Sequence, residues 1–449
     1  MRGIEAALHV CMDASSGTFA SEALRKLYPE INSGDRDVAA LLVYCTLRRQ
    51  GLWKHLMLKY CRRNARALSF RTQTALMIGI AGLVELKHFA APVLINAVLQ
   101  AVKASGRDSD VQDVKTVHAV LRSVSEEAPE YLETLKKAAS VSDQALYWGV
   151  PGWAAAQWAK ERQIAEAKKL IKAMGMKTYL SLRLRSDVDR EVWIKEYGEK
   201  CGKKAWASDL LANSVRTAST DYPPSLPGYS EGKVSPQTES SMFVVNLLAG
   251  RYKDGAILDM CSGRGVKTRQ LIDMFPLAQI EAWDISPAKI QTAKLELMKL
   301  HAGSRVQLRI GDALKLKPKT APSLVLLDAP CSGSGTWGRH PEGKWRMKPE
   351  DVDESAKLQK MLLERAADIV QPGGIVAYMT CSSFRKENEE VVADLLSKRK
   401  DIVELPVKTE HKFMQKGRPY GVVINPVQPW TDGFYAALLL KRRQEGNNA

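Results

Sequence analysis

The 449-residue sequence contains no apolar run long enough to cross a bilayer. The longest candidate, residues 75–86, is interrupted by Gly79 and Gly82 and falls short of the roughly 20 residues that a spanning helix needs. The first residues include Glu5 and Asp13 and only a short apolar stretch, which argues against a signal or transit peptide. We therefore expect a cytoplasmic protein without a membrane partner.

Cysteine is also scarce. The seven cysteines run from Cys11 to Cys381 without a single CxxC pair. Disulfide frameworks and structural zinc sites use closely spaced cysteines, so neither is supported. We expect reduced thiols and no metal site.

Acidic residues are too few to balance the basic ones: 50 Asp and Glu stand against 66 Lys and Arg, which leaves a net charge of +16. Such an excess favours a polyanionic partner, most simply nucleic acid, although a merely soluble basic protein explains the charge about as well. The hydrophobic content of 45% is that of a globular protein. At roughly 150 residues per domain, the length suggests about three domains.

The first of these domains is predicted to be all-α. Apolar residues recur at helical spacing through residues 1–144, and strand signals are almost absent. Asp35 and Ser69 can each cap a helix, and Pro92 lies near the start of another.

Residues 145–230 have a mixed pattern. A helical stretch that ends at Gly175 is followed by alternation typical of a strand over residues 178–186. Turn residues then fill the segment from Tyr222 to Gly232, which is the best linker candidate. This pattern predicts a small α/β connecting domain.

From residue 231 to residue 449, short apolar strands alternate with amphipathic helices. The strand candidates are GAILDM, QIEAWDI, VQLRIGD, SLVLLDAP and GGIVAYMTC. Alternation of this kind predicts a doubly wound, parallel α/β sheet. Ligands of such folds bind beyond the carboxyl ends of the strands, so the residues that follow each strand are the site candidates.

Three acidic residues end successive predicted strands: Asp259, Asp284 and Asp312. After Asp259 comes a turn with Gly263 and Gly265, which matches neither the GxGxxG nor the GxxxxGK[ST] pattern. A carboxylate after the second strand can accept both hydroxyls of a ribose, as in nicotinamide or S-adenosylmethionine binders, and Asp312 could bond an adenine amine. Each acid could instead cap a helix, but three at successive strand ends favour a cofactor site.

Two cysteines follow the last two of these strands, Cys331 in the segment Asp328-Ala-Pro-Cys331 and Cys381 in Thr-Cys381-Ser. A cysteine at a strand end is often a small buried filler, but a thiolate in a polar turn can act as a nucleophile. Methylation of a pyrimidine at carbon 5 needs such a thiolate, because carbon 5 becomes nucleophilic only after addition at carbon 6. An acid beside ring nitrogen 3 would stabilise the developing charge, and a second cysteine could assist release.

Several segments resemble the motifs of the Sun/RsmB family of RNA cytosine-5 methyltransferases, over about residues 35 to 441. They are LDMCSGRGVKT, WDISPAKI, LLDAPCSGSGTWGRHPEGKWR, YMTCSSFRKENEEVV and QPWTDGFYAALLLKR. The paired DAPC and TC motifs are the most specific of these. The resemblance implies that residues 231–449 form a Rossmann-like class I methyltransferase domain that uses S-adenosylmethionine.

Carried over residue by residue, the resemblance implies that Cys381 is the nucleophile, that Cys331 promotes product release and that Asp328 holds the cytosine edge. Lys267 would lie where cofactor and base meet. The implied cofactor-binding residues are Cys261, Ser262, Gly263, Arg264, Gly265, Lys267, Asp284, Asp312 and Asp328. Val266 stands where the family has glycine.

The predicted helices of residues 1–144 resemble the NusB-like RNA-binding domain found in one branch of this family. That resemblance implies methylation of a cytidine in 16S ribosomal RNA, before or during small-subunit assembly. We also expect a monomer. A transfer RNA substrate and a non-catalytic RNA-binding assembly factor remain alternatives. Two basic groups could contact RNA. One contains Arg48, Arg49, Lys54, Arg62 and Arg63 near Trp53 and Tyr60, and the other, Arg339, His340, Lys344, Trp345 and Arg346, could line a substrate entrance.

Overall fold

The computed structural model describes residues 2–61, 67–86, 89–104, 110–218, 223–408, 411, 414–426 and 429–443. Contacts divide the chain into two compact units. The first comprises Met1–Met176 and Trp337–Met347, and the second comprises Lys177–Thr336 and Lys348–Ala449. The three-domain division, with boundaries near residues 145 and 231, stays a prediction.

The described part of the first unit contains helices and no strands, as the periodicity of residues 1–144 predicts. Its helices are α1 (Arg2–Ser15), α2 (Ala20–Leu27), α3 (Ser33–Arg48), α4 (Gln50–Tyr60), α5 (Phe70–Glu85), α6 (Ala91–Lys103), α7 (Asp110–Lys137), α8 (Val141–Trp148), α9 (Gly152–Glu161) and α10 (Ile164–Gly175). Ser69 caps α5, as expected, by accepting a hydrogen bond from the Thr72 amide. The expectation for Asp35 is wrong, because Asn32 caps α3 and accepts from the Asp35 amide at 2.8 Å.

The apolar stretch of residues 75–86 belongs to the core of this unit. It lies in α5, where Leu76 and Ile78 are fully buried. A Cβ atom on Gly82 would lie 2.6 Å from a methyl carbon of Leu94, so glycine is what allows α6 to approach this closely. Among the described residues, no helix is both long enough and apolar enough to span a membrane.

The second unit begins with a small antiparallel sheet. Its elements are β1 (Ser181–Leu184), α11 (Arg190–Cys201), β2 (Ala205–Ala207), β3 (Ser214–Thr217) and β4 (Val234–Pro236). The strands lie in the order β2-β3-β1-β4. Leu182, Trp193, Tyr197 and Val215 are buried between this sheet and α11. The strand expected over residues 178–186 is β1.

A larger sheet with flanking helices forms the rest of the second unit. The elements along this part of the chain are α12 (Glu239–Asn246), β5 (Ala256–Asp259), α13 (Val266–Met274), β6 (Gln279–Asp284), α14 (Pro287–Met298), β7 (Val306–Ile310), β8 (Pro322–Asp328), α15 (Gly343–Arg346), α16 (Pro349–Ile369), β9 (Ile375–Thr380), α17 (Glu389–Lys398), β10 (Ile402–Leu405), β11 (Met414–Lys416), β12 (Val422–Ile424) and β13 (Phe434–Lys441). Helix α15 lies in the segment that belongs to the first unit.

The strand order of this sheet is β11-β12-β13-β9-β8-β5-β6-β7, with β10 paired to β13. Strands β5 to β9 are parallel, as expected, but β13 runs antiparallel to β9 and β12 antiparallel to β13. The five strands predicted from the sequence are therefore parallel, and the antiparallel strands at this side of the sheet are additional to them. Strand β5 pairs with both β6 and β8, so the strand order reverses there, and ligands of such sheets bind beyond the carboxyl ends at that point.

Candidate active site

The two cysteines that were predicted to lie together at the carboxyl ends of the strands are in contact. Cys331 follows β8 and Cys381 follows β9 directly, and these strands are parallel neighbours in which Asp328 lies opposite Met379. The two sulfur atoms are 3.4 Å apart, and both side chains are free thiols. The carbonyl of Cys381 also accepts a hydrogen bond from the Gly335 amide at 2.8 Å, which joins the two turns.

A buried glutamate, which the sequence did not single out, holds these turns together. Oε1 of Glu387 accepts a hydrogen bond from the Ser332 amide at 2.7 Å, and Oε2 accepts from the Ser332 hydroxyl at 2.5 Å. The Ser382 hydroxyl donates to the same carboxylate. Because Ser332 follows Cys331 and Ser382 follows Cys381, Glu387 fixes the relative position of both cysteines. The signal available in the sequence was its place in the ENEE segment after Cys381.

The thiols are electrostatically linked. The hydrogen bond to Cys381, burial, and the negative charges of Cys381 and Glu387 together raise the pKa of Cys331 well above its ordinary value. Cys331 therefore keeps its proton at neutral pH and can share it with the Cys381 sulfur.

Lys267 and Asp328 form an ion pair in the same place. Lys267 lies in the first turn of α13, and its Nζ is 2.6 Å from Oδ2 of Asp328 at the end of β8. Burial by itself would lower the pKa of Lys267, but the Asp328 carboxylate outweighs it, and the pKa stands above the ordinary value. Lys267 also interacts with the charge of Cys381 and lies 5.2 Å above the Phe434 ring. A cation, a carboxylate and two thiols thus form one group.

The predicted cofactor turn lies between β5 and α13. Gly263 and Gly265 have φ angles of 57° and 76°, a left-handed conformation that favours glycine. Oδ2 of Asp284, at the end of β6, accepts a hydrogen bond from the Gly263 amide at 2.9 Å. The N-cap of α14 is Ser286, so Asp284 is not a helix cap. Its carboxylate instead braces the glycine turn.

The remaining residues that were predicted to bind the cofactor also lie at the carboxyl ends of the parallel strands. Asp312 follows β7, and the Gly311 amide donates to the Asp284 carbonyl at 3.1 Å. Cys261 and Ser262 lie in the turn itself, half-buried and buried, whereas the Arg264 side chain is exposed. Burial, with the nearby carboxylates of Asp259 and Asp328, raises the pKa of the Cys261 thiol far above its ordinary value, which disfavours the thiolate that a nucleophile needs.

Two polar atoms of this turn are suited to an incoming ligand. Oδ1 of Asp259 and Oγ of Ser262 are buried and have no hydrogen-bond partner within the part of the chain that the structure describes. Burial raises the pKa of Asp259 to about 7, against the hydrogen bond that the Thr268 hydroxyl donates to its other oxygen. Buried polar atoms of this kind normally have partners, so a polar ligand would complete the turn. Residues that could hold a metal ion do not form a cluster in the described ranges.

Within the first basic group, Arg48, Arg49 and Trp53 do not form the RNA surface that the sequence suggested, because their side chains are buried. Arg48 and Arg49 are buried, and Arg49 bonds the Tyr147 carbonyl and the Glu85 carboxylate. Trp53 is also fully buried, with its indole nitrogen donating to the Cys45 carbonyl. Lys54 is exposed and Tyr60 half-buried, while Arg62 and Arg63 lie outside the described residues.

The second basic group belongs to the first unit, and the expectation that it lines a substrate entrance is wrong for Lys344, which is fully buried. The fully buried Lys344 donates from Nζ to the Met174 carbonyl at 3.1 Å, and the Trp345 indole donates to the Leu47 carbonyl at 2.6 Å. Arg346 donates to the Ala14 and Gly17 carbonyls at the end of α1. Arg339 and His340 are half-buried, and the His340 ring is 5.8 Å from that of Phe19.

Comparison with known proteins finds a matching family for the N-terminal helices and another for the larger sheet. Residues 245–440 match the family model described as 16S rRNA methyltransferase RsmB/F, and residues 4–126 match that of the NusB family. Ribosomal RNA small subunit methyltransferase B of Cronobacter sakazakii is 26% identical over 434 residues, which is 95% of each chain. The protein of the same name from Erwinia tasmaniensis is 30% identical over 285 residues, 62% of this chain and 63% of that one, just under two thirds of its length.

Solved structures show the same fold. The crystal structure of PH0851 has a TM-score of 0.80 at 22% identity and covers 98% of both chains. A methyltransferase homolog protein from Pyrococcus horikoshii has a TM-score of 0.56 at 23% identity and covers 68% of this chain and 99% of that one. The sheet that carries the cysteines thus lies in the part of the chain that matches the RsmB/F methyltransferase family, and the N-terminal helices lie in the part that matches the NusB family.

Proposed function

We propose that this protein transfers a methyl group from S-adenosylmethionine to carbon 5 of a cytidine in 16S ribosomal RNA, as a cytoplasmic monomer. The observation that carries the proposal is the pair of thiols, 3.4 Å apart, at the ends of adjacent parallel strands and beside the Lys267–Asp328 ion pair. The relatives' name, ribosomal RNA small subunit methyltransferase, supports the choice of RNA.

The turn after β5 fits S-adenosylmethionine. Asp259 Oδ1 and Ser262 Oγ are buried atoms in need of a partner, and Gly263 and Gly265 leave the backbone accessible. In this proposal Asp284, at the end of the second strand, accepts the ribose hydroxyls, and Asp312 bonds the adenine. When bound there, the cofactor supplies an electrophilic methyl group.

Cys381 begins the reaction on the cytosine. Its thiolate adds to carbon 6, so that a sulfur–carbon bond forms and the electrons of the C5–C6 double bond make carbon 5 nucleophilic. Asp328, held by Lys267 at 2.6 Å, accepts a hydrogen bond from the amino group at the edge of the base, and the Lys267 ammonium beside it stabilises the negative charge that develops on the ring. Lys267 stays protonated throughout, because its pKa is raised by that carboxylate.

Cys331 acts in the release. The hydrogen bond and charge of Cys381 contribute to the raised pKa of Cys331, and both disappear once Cys381 is bonded to carbon 6. Once carbon 5 carries the methyl group, Cys331 loses its own proton to solvent and, as a thiolate, takes the proton from carbon 5. The C5–C6 double bond re-forms and Cys381 leaves as a thiolate, which restores the starting pair.

The test is incubation of the purified protein with 16S ribosomal RNA and methyl-labelled S-adenosylmethionine, followed by nucleoside analysis. We expect label in 5-methylcytidine with the wild type and none with Cys381→Ala. Cys201→Ala is the matched control, since this cysteine lies on α11, and it should methylate normally. Label in another nucleoside, or unchanged turnover by Cys381→Ala, would overturn the mechanism. Label only in transfer RNA would change the substrate, and no label with RNA binding intact would favour a non-catalytic RNA-binding factor.

A further inference from the structure

One tryptophan of the second unit is unusually exposed. All ten tryptophans lie in the described part of the chain, and only Trp206, at 44%, has more than about a third of its surface exposed. It lies in β2, the edge strand of the small antiparallel sheet. Tryptophan is usually largely buried, so this position points to a ligand that covers the ring.

Trp206 is the outer member of an aromatic group that we call the aromatic platform: Tyr179, Trp206 and Trp430. The Trp430 ring centroid lies 6.4 Å from that of Trp206 and 5.8 Å from that of Tyr179. Trp430 is held by its indole nitrogen, which donates to the Thr217 carbonyl at 3.0 Å, and by the neighbouring Pro429, whose carbonyl accepts from the Tyr179 amide at 2.9 Å. The platform is therefore preorganised.

Cationic side chains lie around the platform. Arg216 lies opposite Trp206 in the β2–β3 register, and its guanidinium is 5.0 Å from the centre of the Trp430 ring, where Glu239 and Asp209 hold it. Nζ of the exposed Lys177 is 5.3 Å from the centre of the Tyr179 ring. The exposed residues just before β2 are Lys203 and Lys204. Exposed aromatic rings among cations are the means by which proteins stack the bases of single-stranded nucleic acid.

A short buried segment connects the platform to the cysteines. Three residues after Trp430, the Gly433 amide donates to the Gly335 carbonyl at 2.9 Å, and the Gly335 amide donates to the Cys381 carbonyl at 2.8 Å. A Cβ atom on Gly433 would lie 2.9 Å from the Gly335 Cα, so this packing is tight. Three residues span at most about 11 Å of chain, which places Trp430 close to the turn of Cys381.

We propose that the aromatic platform stacks an unpaired nucleotide that neighbours the target cytidine in the same RNA strand. The proposal rests on the proposed function for the identity of the substrate. A cytidine that enters the site leaves its stack, and its neighbours lose stacking as well. The platform would restore part of that loss, because the ring of Trp206 presents an aromatic surface to a base of any sequence.

The test is equilibrium binding of short single-stranded RNAs that contain one cytidine, with an abasic nucleotide placed at successive neighbouring positions. Without any abasic position, Trp206→Ala should bind roughly 5- to 150-fold more weakly than the wild type. Trp206→Phe should restore most of the affinity. For one abasic position, the wild type should lose a similar factor and Trp206→Ala should lose nothing more. Leu277→Ala is the control. This residue is 92% exposed and precedes β6, so it lies at the amino-terminal end of that strand, away from the candidate active site.

Equal binding of all RNAs by Trp206→Ala and the wild type would overturn the proposal. So would a loss that is the same for intact and abasic RNA, because it would indicate a surface for backbone charge or for a protein instead. Binding requires no methyl transfer, so the two proposals can fail separately. If Trp206 contributes to base-dependent binding but the protein makes no 5-methylcytidine, only the proposed function is wrong. If the protein methylates RNA but Trp206 has no effect on RNA binding, only the proposal for the platform is wrong.

Discussion

Glu387 receives two hydrogen bonds from Ser332, one from its amide at 2.7 Å and one from its hydroxyl at 2.5 Å, although 55 residues separate them. The same carboxylate accepts from Ser382. These bonds tie the turn of Cys331 to the turn of Cys381, and Gln359 adds a further bond to the carboxylate at 3.1 Å. The spacing of the two sulfur atoms is therefore set by a rigid polar network, and each cysteine can be substituted without releasing the other.

The Cys331→Ala variant should still form the covalent bond to the cytosine but should fail to release the methylated product. Cys381 can still add to carbon 6, but no thiolate then takes the proton from carbon 5. We expect turnover to fall roughly 10²- to 10⁴-fold and a covalent protein–RNA adduct to accumulate, visible as a band that survives denaturing electrophoresis.

Cys381→Ala and the double variant should form no adduct in the same experiment. Turnover at the wild-type rate by Cys331→Ala, with no adduct, would show that Cys331 has no part in release.

Asp284→Asn should weaken cofactor binding and spare RNA binding. The carboxylate accepts from the Gly263 amide at 2.9 Å and the Ser286 amide at 2.8 Å, and in our proposal it also binds the ribose. A hydrogen bond to a charged group contributes about 1.5–3 kcal/mol, so the Kd for S-adenosylmethionine should rise roughly 10- to 150-fold by calorimetry.

Asp254→Asn is the matched control, because Asp254 is exposed and lies at the amino-terminal end of β5, whereas the candidate cofactor site lies at the carboxyl end. Its Kd should match that of the wild type. An unchanged Kd for Asp284→Asn would exclude Asp284 from the cofactor site.

The features that the sequence predicts well depend on local pattern. Alternating strands and helices, the glycine turn and the acids at strand ends can be identified within short windows, and parallel strands bring Cys331 and Cys381 to one edge whatever the details of packing. The Lys267–Asp328 pair joins two such strand ends, so it too was within reach of sequence reasoning.

The features that the sequence predicts poorly depend on distant partners. Arg49 and Lys344 belong to basic segments typical of an exposed surface, but Arg49 bonds Tyr147, 98 residues away, and Lys344 bonds Met174, 170 residues away. Glu387 lies in a run of charges that suggests a solvated helix, and its burial follows from Ser332. Strands β11 and β12 are three residues each, too short for a periodic pattern, so these two strands could not be predicted from the sequence.

Lys344 yields a prediction about stability and pH. Burial, reinforced by the charges of Arg48 and Arg49 and opposed by Glu85, lowers its pKa well below the ordinary value of 10.5. As the pH falls below about 10.5, the unfolded chain binds a proton at this lysine that the folded chain does not, so the folded state loses stability on the acid side of that window.

The Lys344→Met substitution removes this pH-dependent loss of stability, because methionine fills the same space without a titrating group. It also removes the hydrogen bond to the Met174 carbonyl, which contributes about 1 kcal/mol. The Tm of the variant relative to wild type should therefore be highest near pH 7 and should fall as the pH rises toward 10. Lys360→Met is the control, because Lys360 is 41% exposed and paired with Asp394, and its Tm difference should stay nearly constant over this range. A difference for Lys344→Met that is constant or grows with pH would mean that Lys344 is charged in the folded protein.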